Sequence, residues 1–456
     1  MEDKINNTIK SYCNEVNDKN DCINEISNQY INNKSFYNNI EKIYILSDIH
    51  GDLEKYLSFL SKINIIKSSY NYNETFDIYK ELNNYFTYNN KEYYLNKDIY
   101  DIIKEILNKL QIELNDEGLQ YKNTLIIQMG DIFDTHLNCH QAEISSFINN
   151  DLCIYFISLF LLYEYNNKTY KNNSYYIQLL GNHDFIMYNQ IFTSVYNAIK
   201  LNQEVLTEYY GFNVSPIYFT CENINDYDKK IFEDKGIYLL LIGILNADEL
   251  TNKEHFKDIF NKKIQYRKII FDNIIHFQLK TKSNNSLTFH SIILVNNNCI
   301  LSHAFFDNFF KDLDKFNNNL SHIQKVKIID AIFQYINKKK DVNILFNTKF
   351  FNLLDDSLNF RIKYNKKNII IPNKINNLLV KDLDFDLSKI NNHYIIGHQP
   401  NNEIQLLKQN NYIIWFSDHK ISKSFYTDYN YKYKKKVYIK LEFNDEKLFN
   451  YEFGNI

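Results

Sequence analysis

The sequence predicts an α/β fold built around a parallel sheet, and two observations predict it. The first is a repeated grammar. Ile43-Tyr44-Ile45-Leu46 runs into Ser47-Asp48-Ile49-His50-Gly51-Asp52, Leu125 to Met129 into Gly130-Asp131-Ile132-Phe133-Asp134, and Tyr176 to Leu180 into Gly181-Asn182-His183-Asp184. Short apolar, β-branched runs halted by glycine and polar residues read as buried strands. The second is helical periodicity between those strands: Leu53, Tyr56, Leu57, Leu60 and Ile63 follow a 3.6-residue period, and Leu152 to Leu162 reads as a core helix. Strand, helix and strand in that order favour parallel pairing, with the chemistry at the carboxyl ends of the strands.

Taken in order, residues 1–39 are polar, with Ile5, Ile9, Cys13, Val16, Ile23 and Ile26 at loosely helical spacing, and read as a helical N-terminal extension. Residues 40–456 form the main domain, interrupted near 67–121, 190–286 and 310–390. The first interruption is longer than a βαβ crossover needs, so it reads as an insertion. Within it Glu92 to Leu95 is strand-like, and Ile99, Ile102, Ile103, Ile106, Leu107 and Leu110 are helical. In the second, Ile237 to Ile242 reads as a strand and 250–262 as helical. Ser291 to Val295 and Cys299 to Ser302 read as a hairpin closed by an Asn turn, ending in Ser302-His303-Ala304. A Lys-rich helix over 323–340 leads to Tyr394-Ile395-Ile396-Gly397-His398-Gln399-Pro400, and strands at 412–416, 437–442 and 448–453 close the chain.

A chain of 456 residues is long enough for one elaborated domain or two. Its net charge of −3 supplies no global field for nucleic acid or an anionic membrane, so neither is expected as a partner. Lys432, Lys434, Lys435 and Lys436, interleaved with tyrosines, read as the guard of an edge strand. The six cysteines form no C-x-x-C pair and no tight framework, which makes a reducing compartment the default. The N-terminus lacks an apolar signal core and the longest apolar run is too short to span a bilayer; a soluble, cytoplasmic protein is the expectation.

The polar tips collect Asp48, His50, Asp131, Asp134, Asn182, His183, Asp184, His303 and His398. Alternation along a strand end puts Asp48 and His50 on one side. Carboxylate, imidazole and amide oxygen, with no thiolate, suit divalent ions such as Mn, Fe or Zn. Two such ions sharing a carboxylate can clamp a phosphoryl oxygen and hold a hydroxide. Four of the nine glycines, 51, 130, 181 and 397, stand beside these residues, where a backbone shape or a close approach would forbid a side chain.

In their order and in the strands before them, Asp48-Ile49-His50, Gly130-Asp131-x-x-Asp134, Gly181-Asn182-His183-Asp184, His303 and Gly397-His398 resemble the five motifs of the calcineurin-like metallophosphoesterase superfamily. The branch of serine/threonine protein phosphatases, their bacterial-like relatives and dinucleoside tetraphosphatases is the most similar. The resemblance implies a β-sandwich of mixed sheets flanked by helices, with long insertions. It implies two divalent metals, the first held by Asp48, His50 and Asp131, the second by Asp131, Asn182, His303 and His398. It further implies His183 as the general acid, Asp134 as the carboxylate that orients it, and a phosphorylated protein or nucleotide-like small molecule as substrate, cleaved as a phosphomonoester by a metal-bridging hydroxide.

Two departures bear on substrate. Relatives with protein phosphatase activity carry an arginine directly after the second Asp of the second motif, where this chain has Thr135 followed by His136; Arg267, Arg361, His136, His140 or a lysine would have to replace it. Gly397-His398 lacks the second histidine of the Gly-His-x-His found in many phosphodiesterases. Two alternatives stay open: a phosphodiesterase or dinucleoside polyphosphate hydrolase, and a catalytically weak binding module on the same fold. The insertions are expected to emerge on the catalytic rim as a lid or a protein-docking surface. His276, His290, His393 and His419 read as structural histidines, Asp184 as a capping carboxylate, and Asp418 as either a turn residue or part of the tip cluster.

Overall fold

The computed structural model describes residues 2–32, 35–70, 76–89, 92–133, 150–184, 262–263, 265–274, 289–338, 348–358, 360–362, 369–370, 392–398, 405–409, 412–418 and 437–455. The strands, in chain order, are β1 Phe36–Tyr37, β2 Lys42–Leu46, β3 Ile66–Ser68, β4 Phe86–Asn89, β5 Glu92–Leu95, β6 Ile112–Leu114, β7 Thr124–Gln128, β8 Tyr175–Gln178, β9 Ile292–Val295 and β10 Cys299–Ser302. They continue as β11 Ile369–Ile370, β12 Asn392–Ile396, β13 Gln405–Gln409, β14 Tyr412–Phe416, β15 Val437–Asn444 and β16 Lys447–Asn455. The helices that matter below are α1 Glu2–Cys13, α2 Lys19–Asn32, α3 Leu53–Lys62, α4 Ile78–Leu82, α5 Ile99–Lys109, α6 Asp116–Leu119, α7 Asp151–Phe160, α8 Asn166–Thr169, α9 Asp307–Phe316, α10 His322–Lys338 and α11 Lys349–Leu358.

Two mixed sheets stack. One runs β16-β15-β2-β7-β8, the other β1-β9-β10-β12-β14-β13-β11. The predicted parallel unit is the heart of the first sheet: β2 pairs with β7 and β7 with β8, both parallel, while β15 joins β2 antiparallel. Strand alternation sorts the side chains. Ile43, Ile45, Leu125, Ile127 and Ile177 meet Ile293, Leu301, Ile395, Ile413 and Trp415 of the other sheet in one buried cluster. Leu46, Ile126 and Tyr176 face the opposite way, into the helical layer with Tyr56, Leu60, Ile106 and Phe156. This is the predicted sandwich flanked by helices.

The stretch 67–121 is more deeply embedded than a lid. Antiparallel pairing of β3 with β6 closes its base, and Ile78, Leu82, Ile102 and Ile106 are fully buried. Segment 265–274 packs on it: Tyr266 stacks on Phe86 with ring centroids 3.8 Å apart, and Arg267 is buried against Tyr79. The expected strand at 237–242 and helix at 250–262 lie outside the described residues, apart from Lys262.

The N-terminal stretch forms α1 and α2, and its Ile9, Tyr12, Cys13 and Ile26 enter the helical core. One sequence expectation is corrected there. Cys13 and Cys22 form a disulfide, their Cα atoms 5.8 Å apart, where the spacing gave no reason to pair them. The turn between α1 and α2 brings the two together, an arrangement that nine residues of sequence separation do not encode. No described helix is long and apolar enough to cross a membrane.

Candidate metal centre

The tips of both sheets gather at one end of the sandwich. Asp48 and His50 follow β2, Asp131 follows β7, Asn182 and His183 follow β8, His303 follows β10 and His398 follows β12; all are buried. Three of them, His50, Asp131 and His398, hold positive φ angles of 45°, 48° and 56°. Non-glycine residues rarely adopt that region, and clustered strain of this kind marks functional sites. Backbone bonds lock the turns together: His50 N–H and Gly51 N–H donate to the carbonyls of Asp131 and Ile132 at 2.8 and 2.9 Å.

The glycines explain themselves. A Cβ on Gly181 would collide with Asp131 and His303, and one on Gly397 with the Asp48 carboxylate, so the tips can converge only where those side chains are missing.

His303 decides the chemistry of the centre. Its Nδ1 lies 3.1 Å from the Met129 carbonyl oxygen, a pure acceptor, so Nδ1 carries the proton and Nε2 presents a lone pair. Burial, with the nearby His398 adding to it, pushes the His303 pKa well down and keeps the ring neutral. Yet Nε2 faces two acceptor oxygens, Asn182 Oδ1 at 2.9 Å and Asp131 Oδ2 at 3.3 Å, with His398 Nδ1 at 3.2 Å beside them. Acceptors crowded on acceptors are the signature of a cation cradle. Beside it, Asp131 Oδ2 lies 3.9 Å from both His50 Nε2 and His183 Nε2. The ligand atoms of Asp48, His50 and Asp131, and those of Asp131, His303 and His398, form two groups each within 4.8 Å, sharing Asp131.

Electrostatics point the same way. Asp48 is buried beside Asp418 and Asp131, so its pKa rises well above the usual carboxylate range; the His398 N–H, 2.9 Å from Asp48 Oδ2, and Ser47 partly offset this. Carboxylates packed together out of water call for positive charge.

A model of the calcineurin-like phosphoesterase family matches residues 41–291, more than half of the chain. The chain belongs to that family. Members are metal-dependent phosphoric ester hydrolases, and the donor set of this phosphoesterase fits divalent cations. Among solved structures it is similar to the cold-active protein-tyrosine phosphatase of a psychrophilic Shewanella species, at 13% identity over 91% of this chain and 82% of that one, with a TM-score of 0.33. The phosphatase domain of the Legionella effector WipB matches at 16% identity over 71% of this chain and 95% of that one, with a TM-score of 0.32. Scores this low say nothing about substrate. No curated protein matches the chain.

In this phosphoesterase Asp184 caps a loop, its Oδ1 accepting from the Ile132 and Phe133 N–H groups and Oδ2 from Gly181 N–H. Burial raises its pKa to about 6 against those bonds. His290 pairs with Asp330 at 2.8 Å beneath β9, and His393 is buried on β12. Asp134, Thr135, His136, His140, His276 and His419 lie outside the described residues. Arg267, one of only two arginines in the chain, is fully buried and held by both carboxylate oxygens of Asp151 at 2.7 and 2.8 Å, so it cannot reach a substrate. The other, Arg361, is exposed, and its charge contributes to depressing His303.

Sequence reading passed over Gln128 and Gln178, both fully buried in the strands that carry the second and third tips. A glutamine inside each of two apolar runs, just short of the glycine, was the available signal.

Proposed function

We propose that this phosphoesterase is a binuclear phosphatase acting on phosphomonoesters of a protein or nucleotide-like molecule. Asp48, His50 and Asp131 would hold one divalent cation and Asp131, Asn182, His303 and His398 the other; Mn, Fe or Zn fits a donor set without thiolate. When bound, such ions supply Lewis-acid charge and an acidified water. The chain's residues do the rest. Asp131 places one carboxylate between the two groups, the Met129 carbonyl fixes the His303 tautomer, and His183 delivers a proton to the departing oxygen. Asp134 keeps the orienting role that its motif suggests. The observation that carries this reading is the meeting of acceptor atoms around His303 Nε2.

The test is turnover of p-nitrophenyl phosphate and bis-p-nitrophenyl phosphate by the Mn-supplemented protein, with metal content measured alongside. The expected result is monoester turnover above diester turnover, lost on chelation and on Asp131→Asn. A diester preference would favour the phosphodiesterase alternative. Less than one metal per chain with no turnover of either ester would favour a binding module. We further propose that Arg361 serves the phosphate in place of the arginine replaced by Thr135, since Phe360 and Ile362 pack with Phe305, Ile396 and Phe416 beside the His303 and His398 loops.

A further inference from the structure

Gln128 is filled on every side. Its Oε1 accepts from Gly130 N–H at 2.7 Å and from Gln178 Nε2 at 2.7 Å, while its Nε2 donates to the Ser47 carbonyl at 3.1 Å and the Gly130 carbonyl at 3.0 Å. The partners allow one orientation only: a backbone N–H can meet nothing but the oxygen, and backbone carbonyls nothing but the nitrogen. Ser47 precedes Asp48 and Gly130 precedes Asp131. One side-chain amide thus bridges the two turns whose carboxylates belong to the first cation group.

Gln178 holds that amide from behind. Its Nε2 also donates to the Leu179 carbonyl at 2.6 Å, and its Oε1 accepts from Tyr176 Oη at 3.0 Å and Ser158 Oγ at 3.3 Å. Tyr56 closes the chain, its hydroxyl 2.8 Å from Ser158 Oγ and 2.6 Å from Tyr176 Oη. Helices α3 and α7 are thereby wired to the carboxyl ends of β2, β7 and β8. A buried polar chain with its bonds made on both sides fixes geometry, whereas an apolar pair would only fill space.

We propose that Gln128 is a positioning residue for the metal centre: its clamped amide sets the separation of the Asp48 and Asp131 turns, and Gln178 locks its orientation. The proposal rests on the cation reading above. Gln128→Glu keeps the size and sets a carboxylate oxygen against two carbonyl oxygens, opposing the clamp, and Gln178→Met removes the lock while leaving Gln128 in place.

The experiment is Mn²⁺ titration by calorimetry of the metal-stripped full chain, with thermal unfolding of the same preparations. Thr169→Ala, which removes buried hydrogen bonds to Tyr165 and Ser174 remote from the tips, is the control for general loosening. The expected result is Mn²⁺ affinity weakened by about tenfold or more in Gln128→Glu and by a smaller factor in Gln178→Met. Thr169→Ala should lower Tm and leave Mn²⁺ affinity unchanged. If Gln128→Glu does not fold, Gln178→Met decides alone. Variants that bind Mn²⁺ as tightly as the parent overturn this proposal and leave the cation reading standing. A parent chain that binds no Mn²⁺ overturns both.

Discussion

At the scale of single residues, the proposed mechanism turns on where two histidines hold their protons. His303 gives its proton to a backbone carbonyl and turns a lone pair inward, whereas His183 is carried by a tip where its ring meets His50 edge to face at 5.1 Å. If His183 protonates the departing oxygen, its importance must grow with that oxygen's basicity. Phenyl phosphate turnover should therefore fall by roughly 10²- to 10⁴-fold in His183→Ala, with a smaller fall for p-nitrophenyl phosphate, whose leaving group needs little help. Steady-state kcat on the two esters checks this, and equal losses would contradict it. Arg361→Ala should raise KM for phosphomonoesters by about tenfold while kcat moves less, the loss of a charge-assisted contact shared by ground and transition states. Arg361→Lys should recover part of it.

Among the elements, β12 carries a second, independent prediction. His393 lies in register beside Cys299 of β10 and Ile413 of β14, and burial lowers its pKa to about 4. The unfolded chain takes up a proton near pH 6.5 and the folded chain resists until about 4, so this group's contribution to stability is intact above 6.5 and drains away as pH falls. Between pH 7 and pH 4 the parent should lose about 3 kcal/mol more than His393→Leu, by denaturant unfolding at each pH. Parallel curves would refute the assignment. The elements also show where local pattern sufficed. Strands 42–46, 92–95, 124–128 and 412–416, and helix 99–109, emerge where periodicity placed them, because each is a short segment with one apolar face and a clear stop. The role of 67–121 was not legible. Its apolar positions marked a helix, and only the packed helical layer reveals that this helix belongs to the main core.

For the whole molecule, two sheets from distant parts of the chain each contribute tips to the candidate metal centre at their shared end. The disulfide belongs to this scale, since it ties α1 to α2 and both contribute to the helical core. Reducing it should lower stability by about 2–3 kcal/mol, the loop-closure entropy of a short loop. Comparing Tm with and without reductant, and in Cys13→Ser/Cys22→Ser, checks this; no difference would show that the link contributes nothing. Sequence by itself determined the family and the sandwich and named the tip residues as candidates, because glycine, carboxylate and imidazole after an apolar run are local signals. Only the tertiary structure decided which way His303 turns its lone pair, that Arg267 is sealed against Asp151 while Arg361 faces solvent, and that Gln128 ties Ser47 to Gly130. These depend on atoms brought together from residues up to 174 positions apart. Hydrogen-bond direction and burial are properties of such meetings, and no single stretch of chain encodes them.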